Sequence, residues 1–150
     1  MNKLRLLHEN EAHLIKDDPV RDHLLYHWRT SAGREVYVLE KDDNSISAVI
    51  CVGYVNNVPI TEQELDLYSQ AAYQDGQHGN IAIFYTVWSY SKGAGREIVL
   101  SVANYIKENK PVDRFVTLSP LTEMAEKFHI RNGAKLIDKG NTCQNFEYTL

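Results

Sequence analysis

The chain has 150 residues, 43 % hydrophobic and 24 % charged, with a formal net charge of -4. That length suits one domain, spanning 1–150, with a single core. Its basic residues are scattered against an acidic balance, which argues against a nucleic-acid partner and for a small-molecule or protein partner. No apolar run approaches the roughly 20 residues of a membrane span. The opening "MNKLRLLHEN" lacks the apolar core of a secretory leader, so a cytoplasmic protein is expected. The two cysteines, Cys51 in the apolar "AVICVGYV" and Cys143, fit neither a disulfide framework nor a zinc spacing and are expected to be free thiols.

The first helix signal is "DDPVRDHLLYHWRTSAG". Asp18 can cap it, Pro19 suits its first position, Val20, Leu24 and Trp28 recur at i, i+4, i+8, and Gly33 ends it. "EVYVLE" and "SISAVICVGYV", joined by the polar "KDDN", read as a hairpin. Thr61 and Glu64 form a capping box that starts a helix through "TEQELDLYSQAAY". "QDGQHGN" reads as a loop, and the mostly apolar "IAIFYTVWSY" as a long central strand. The spacing then predicts a helix from about Ala94 to Asn109, with Ile98, Val102 and Ile106 on its core face and Pro111 beyond its end. "RFVTLS" is the next strand. Pro120 and Thr122 open a helix through "EMAEKFHIRN" that Gly133 ends, and "AKLID" and "NFEYTL" close the chain as strands. The order is α, β, β, α, β, α, β, α, β, β. Its strand–helix–strand crossover in the second half implies a parallel pair in a mixed sheet.

The stretch "SYSKGAGREIV" carries the strongest chemical signal. A strand that feeds a glycine-bearing loop into a helix leaves free N–H groups at the positive end of the helix dipole, which suits a phosphate or pyrophosphate. Gly93 and Gly95 let the backbone approach closely, and Lys92 and Arg96 add charge. The loop is too short for a P-loop and is not G-x-G-x-x-G. A helix start without a ligand is the alternative reading of the same residues.

Strand, "KGAG" loop, helix, strand, helix ending in glycine and two further strands together resemble the second half of the GNAT superfamily of acyl-CoA acyltransferases. The resemblance implies an α/β (α+β) fold: a mixed, mostly antiparallel sheet with helices on both faces, splayed between its two parallel strands. Coenzyme A would enter at that splay. Val87, Trp88 and Ser89 would line the pantetheine arm, and Tyr90, Lys92, Gly93, Ala94, Gly95 and Arg96 would hold the pyrophosphate. Tyr90 stands where that family usually has Arg or Gln.

Three segments are more specifically similar to the GNAT-like catalytic domain of malonyl-CoA decarboxylases: "AIFYTVWSYSKGAGREIV", "FVTLSPL" and "AEKFHIRNGAKL", within a likeness that spans roughly residues 35 to 150. It implies an active pair of Ser119 and His129. Nine residues separate the two; on one straight helix they would lie about 15 Å apart, so they can meet one substrate only if the chain bends at "SPLT". His129 also falls where the superfamily's acetyltransferases often carry a tyrosine acid near the CoA sulfur. An imidazole titrating near neutral pH suits proton delivery there. The alternatives are a hydrogen-bonded helix histidine, and for Ser119 a helix cap followed by Pro120.

The implied functions are decarboxylation of malonyl-CoA, acetyl transfer from acetyl-CoA to an amine acceptor with Glu35, Glu40 or Glu123 as candidate bases, and acyl-CoA binding without catalysis. No metal is expected, because His8, His13, His23, His27 and His78 show no ligand spacing. Whether the chain is a monomer or a homodimer is open.

Overall fold

The computed structural model describes residues 2–76 and 78–150. Part of the "QDGQHGN" loop, Gln77, lies outside them. The chain opens with β1 (Lys3–Leu6) and a 3-10 segment, Glu9–Asp17, followed by the one-turn helix α1 (Tyr26–Arg29). The hairpin β2 (Glu35–Glu40) and β3 (Ile46–Val55) leads to α2 (Glu62–Gln74), central strand β4 (Ile81–Ser89) and α3 (Ala94–Asn109). Then come β5 (Arg114–Thr117), β6 (Ser119–Pro120), α4 (Glu123–Arg131), β7 (Lys135–Lys139) and β8 (Cys143–Tyr148).

All eight strands join one sheet in the order β1-β2-β3-β4-β5-β8-β6, with β7 paired to β8. Every pairing is antiparallel except β4 with β5, the pair joined by the α3 crossover. Alternate residues of each strand feed two cores, as the two-residue repeat of a strand requires. Tyr37, Leu39, Ile50 and Phe84 pack on Ile98, Val102 and Ile106 of α3. Val36, Val38, Cys51 and Ile83 pack on the opposite face with Leu65 of α2 and with Leu14, Leu24 and Trp28 of the N-terminal region.

The local signals account for most elements. The Thr61 hydroxyl accepts from Glu64 N at 3.0 Å, and the Glu64 carboxylate reaches back to Ile60 N at 2.9 Å. Gly93, with φ at 81°, stands immediately before α3. Gly133, with φ at 100°, follows α4, where Ala134 N donates to His129 O and Gly133 N to Ile130 O, both at 3.0 Å. These two bonds are the Schellman closure that a glycine in this position allows. Gly79 is the tightest such position: a Cβ there would lie 2.4 Å from the Val55 carbonyl oxygen, on a φ of +75°. Gly79→Ala should lower the free energy of unfolding by about 3 kcal/mol or more, read as a fall in the urea midpoint.

Two expectations are corrected. The single helix from Asp18 to Gly33 does not form; only Tyr26–Arg29 is α-helical, and β1 and the 3-10 segment were not foreseen. The reason is tertiary. The Arg29 guanidinium is fully buried and takes the carbonyls of Leu24 and Arg21, which a continuous helix would use for its own ladder. Pro120 does not open α4 either. It lies in β6, and Thr122 is the cap, its hydroxyl accepting from Ala125 N at 3.2 Å.

Candidate active site at the strand splay

The parallel strands stay paired only from Ile81↔Arg114 to Phe84↔Thr117. The Leu118 N–H donates to the Phe84 carbonyl at 3.0 Å, and beyond that rung the strands separate. On its other edge β4 carries a bulge: Val52 pairs with Phe84 and Cys51 with Thr86, leaving Tyr85 as the extra residue. Arg21 fills the notch that results. Its NH1 donates to the Tyr85 carbonyl and, at 3.3 Å, to Thr86 Oγ1, while its NH2 donates to the Leu118 carbonyl at 3.0 Å. One buried guanidinium thus bridges the two strands where their ladder ends.

A cavity of about 760 Å³ opens at this splay. Its walls are Phe84 to Ser89 of β4, Gly95 of α3, Ser119 and Pro120 of β6, and Phe128 and His129 of α4. Pro19 and Val20 close another side. No Asp, Glu, Lys or Arg is among its lining residues.

At the glycine loop, the N–H groups of Lys92, Gly93, Gly95 and Arg96 donate to no protein acceptor among the described residues, as the first turn of a helix leaves them. Those of Tyr90 and Ala94 are taken, by the Ser47 and Ser91 carbonyls at 2.8 and 3.2 Å. Of the expected binding residues, Val87, Trp88, Ser89 and Gly95 line the cavity, whereas Tyr90, Lys92, Gly93, Ala94 and Arg96 form the turn and helix start beyond it. The two glycines have separate local reasons. Gly93 supplies the left-handed turn, with open space where a Cβ would stand. Gly95 admits the Phe128 ring, whose Cε1 would be 3.2 Å from a Cβ. Tyr90 turns its hydroxyl away from the loop, accepting from Trp88 Nε1 at 3.0 Å and donating to Asp17 Oδ2 at 2.7 Å. Burial, with the Asp17 carboxylate, pushes its pKa up to about 12. Arg96 NH1 reaches Asn132 Oδ1 at 3.4 Å, and Lys92 is exposed.

Ser119 and His129 are both buried and both line the cavity, although they stand on β6 and α4. The kink after β5 that creates β6 supplies the bend at "SPLT". Ser119 does not cap α4; its hydroxyl lies 2.8 Å from Thr117 Oγ1. Thr117 Oγ1 accepts from both the Ser119 hydroxyl and, at 3.1 Å, the Phe146 N–H, which leaves the lone pairs of Ser119 Oγ for the cavity.

The His129 ring is stacked on Phe146 at 5.4 Å, with Phe128 and Tyr148 edge-on at 5.0 and 5.8 Å. Its Nδ1 is 2.7 Å from the Tyr148 hydroxyl. Burial lowers the imidazole from its ordinary 6.5 to about 4 and raises Tyr148 to about 12. The expectation of an imidazole titrating near neutral pH is therefore corrected: the ring is neutral at pH 7. Where Tyr148 donates to Nδ1, the ring hydrogen resides on Nε2. The unfolded chain binds this proton between about pH 6.5 and 4 and the folded one does not. The stabilisation is thus complete above about pH 6.5 and is lost as pH falls towards 4, at about 1.4 kcal/mol per pH unit. Urea titrations at pH 7 and pH 5 measure that loss, and His129→Gln should remove this component.

None of the candidate bases reaches the cavity. Glu35 accepts from the Tyr37 and Tyr54 hydroxyls at 2.9 and 2.8 Å and pairs with Lys110; Glu40 pairs with Arg5, and Glu123 with Lys127. His23 pairs with Glu62 at 2.8 Å. Burial pushes the Cys51 thiol up to about 11, and both cysteines are free and buried. Among the described residues no helix is long and apolar enough to cross a membrane. Sequence reasoning missed Arg21, Thr86 and Tyr148. Tyr148 was legible as a position in a terminal strand, but nothing in the sequence pairs it with a histidine nineteen residues away.

No protein-family model matches the chain, and no curated protein matches it in sequence. Solved structures do match. The loading GNATL domain of CurA from Lyngbya majuscula is similar over 99 % of this chain and 98 % of its own, with a TM-score of 0.71 and 14 % identity. A GNAT-family acetyltransferase from Listeria monocytogenes is similar over 99 % and 95 %, with a TM-score of 0.70 and 11 % identity. A malonyl-CoA decarboxylase from Agrobacterium vitis is similar over 85 % of this chain, with a TM-score of 0.63 and 17 % identity; the chain covers 35 % of that protein's length. The parallel β4–α3–β5 crossover, the splay beyond Phe84 and the glycine turn before α3 therefore belong to one architecture: the chain has the GNAT fold, in the form shared by acetyltransferases and the GNAT-like domain of malonyl-CoA decarboxylases.

Proposed function

We propose that the chain binds an acyl-CoA thioester at the splay and decarboxylates a malonyl group. One observation carries this reading: Ser119 and His129 line a single cavity that has no carboxylate among its lining residues. Val87, Trp88 and Ser89 would flank the pantetheine arm. The free N–H groups of Lys92, Gly93, Gly95 and Arg96 suit a pyrophosphate. Loss of CO2 moves the C–C bonding pair onto the thioester, giving an enolate whose oxygen needs a fixed donor. A neutral imidazole N–H can serve in that role. His129 is assigned as this donor, in the tautomer that a donating Tyr148 favours, rather than as a proton-delivering imidazolium. Ser119 orients the acyl group. The carbanion takes one proton from water, so a malonyl thioester and a proton become an acetyl thioester and CO2.

The second reading is acetyl transfer to an amine. End-to-end similarity to a GNAT-family acetyltransferase favours it. Against it stands a cavity with no acidic side chain to attract an ammonium group or take its proton. A third outcome, acyl-CoA binding without turnover, remains distinguishable by the same test. Purified protein is incubated with malonyl-CoA, and acetyl-CoA and CO2 are followed by mass. Formation of acetyl-CoA that is lost in Ser119→Ala and His129→Ala supports decarboxylation. Intact malonyl-CoA beside bound CoA overturns it and directs the search to amine acceptors.

A further inference from the structure

The bulge at Tyr85 brings a second hydroxyl to the cavity. Thr86 lines it and is itself buried. Its Oγ1 accepts from Arg21 NH1 at 3.3 Å, and its own hydrogen has no protein acceptor among the described residues. A hydroxyl that accepts from a guanidinium is left with its O–H to donate. Behind it, Arg21 is held by four of its five donors: the Tyr85 and Leu118 carbonyls, Thr86 itself, and Glu62, whose Oε1 lies 3.1 Å from Nε. The segment that delivers Arg21 is fixed as well, since Asp18 Oδ1 accepts from Val20 N and Arg21 N, both at 2.8 Å.

This is more polar construction than a strand splay needs. The Tyr85 and Leu118 carbonyls would be satisfied by water in an open cleft. In a cavity whose walls are otherwise largely apolar, a carboxylate on the acyl group needs a donor. A donor backed by a fixed cation favours an anionic acyl end over a neutral one.

We propose that Thr86 is a specificity-determining residue, its hydroxyl binding the free carboxylate of the acyl group, and that Arg21 is the positioning residue that orients it. The inference rests on the reading of the splay as an acyl-CoA site and adds to it the discrimination of a carboxylated acyl group from an acetyl group.

Calorimetry tests it with three probes: CoA, acetyl-CoA, and the amide analogue of malonyl-CoA, in which N–H replaces the thioester sulfur and slows loss of CO2. Wild-type protein should bind the malonyl analogue more tightly than acetyl-CoA. Thr86→Val should weaken the malonyl analogue by about tenfold or more and leave CoA and acetyl-CoA unchanged. Thr86→Ser should retain the preference. Arg21→Lys, which cannot bridge both carbonyls and the hydroxyl, should lose part of it. A purely structural role would lower the melting temperature without changing the ratio of the two acyl affinities. If Thr86→Val does not fold, Thr86→Ala carries the same test. An unchanged ratio in Thr86→Val or Thr86→Ala, or no preference in the wild type, overturns the inference while CoA binding still stands. Failure of CoA itself to bind overturns the reading of the site, and the inference with it.

Discussion

His129→Ala is expected to lower turnover of malonyl-CoA by about 10²-fold or more while CoA affinity is unchanged. The ring lines the cavity, whereas the free N–H groups are at the α3 N-terminus beyond it, so losing one should not disturb the other. The pH profile separates the two roles open to this histidine. An imidazolium acid with an ordinary pKa would make kcat fall as pH rises through about 6.5. The buried ring titrates near 4. Turnover should therefore show no inflection near 6.5, and any loss assigned to His129 should appear only as pH falls towards 4, where the imidazolium forms. Tyr148→Phe removes the partner that sets the tautomer, with the aromatic packing kept, and should lower kcat more than it changes KM. Rates across pH 4.5 to 8 for wild type, His129→Ala and Tyr148→Phe check all three statements. Full activity in His129→Ala would end its assignment as the oxyanion donor.

Asp18→Ala should cost about 3–5 kcal/mol of folding stability. Asp18 Oδ2 is 2.6 Å from Arg29 NH1, and both side chains are fully buried. Removing the carboxylate leaves a guanidinium in the core without its counter-charge and leaves the Val20 and Arg21 N–H groups without their acceptor. A buried pair is not itself a large source of stability, because desolvation offsets the attraction; a single surviving member is what destabilises. The Asp18→Ala/Arg29→Met double variant should accordingly regain much of the loss, since the charge goes with its partner. Urea denaturation of wild type, both single variants and the double variant measures the cycle. A double variant no more stable than Asp18→Ala would show that the charge is not the cause. Functionally, Asp18→Ala should also loosen Pro19 and Val20, which wall the cavity, and should raise KM for the acyl-CoA.

The contrast between α3 and the first predicted helix explains what was legible. The α3 bounds follow from neighbours in sequence: a left-handed glycine before it, a 3.6-residue apolar stripe, and a proline after it. The Thr61 cap, the β2–β3 hairpin and the Gly133 closure are local in the same sense. The stretch after Asp18 carries equally good helix signals. It is overridden because Arg21 and Arg29 are buried and take carbonyls from their own segment, from β4 and from beyond β5. No local pattern distinguishes those arginines from exposed ones.

The site divides along the same line. The glycine turn, the strand before it and the identities of Ser119 and His129 were readable in the chain itself, because turn chemistry and motif residues are carried by short segments. Their convergence was not, since it depends on β5 breaking at Leu118 and pairing again as β6 with β8. Nor was the protonation state of His129, which is set by aromatic rings from α4 and β8 packing around it. Sequence by itself determined the order of elements from β2 to β5, the α3 turn and the family resemblance, all products of short-range steric and hydrogen-bonding preferences. Tertiary structure alone decided which charges are buried, where the strands part and which side chains share the cavity, because burial and desolvation depend on segments far apart in the chain.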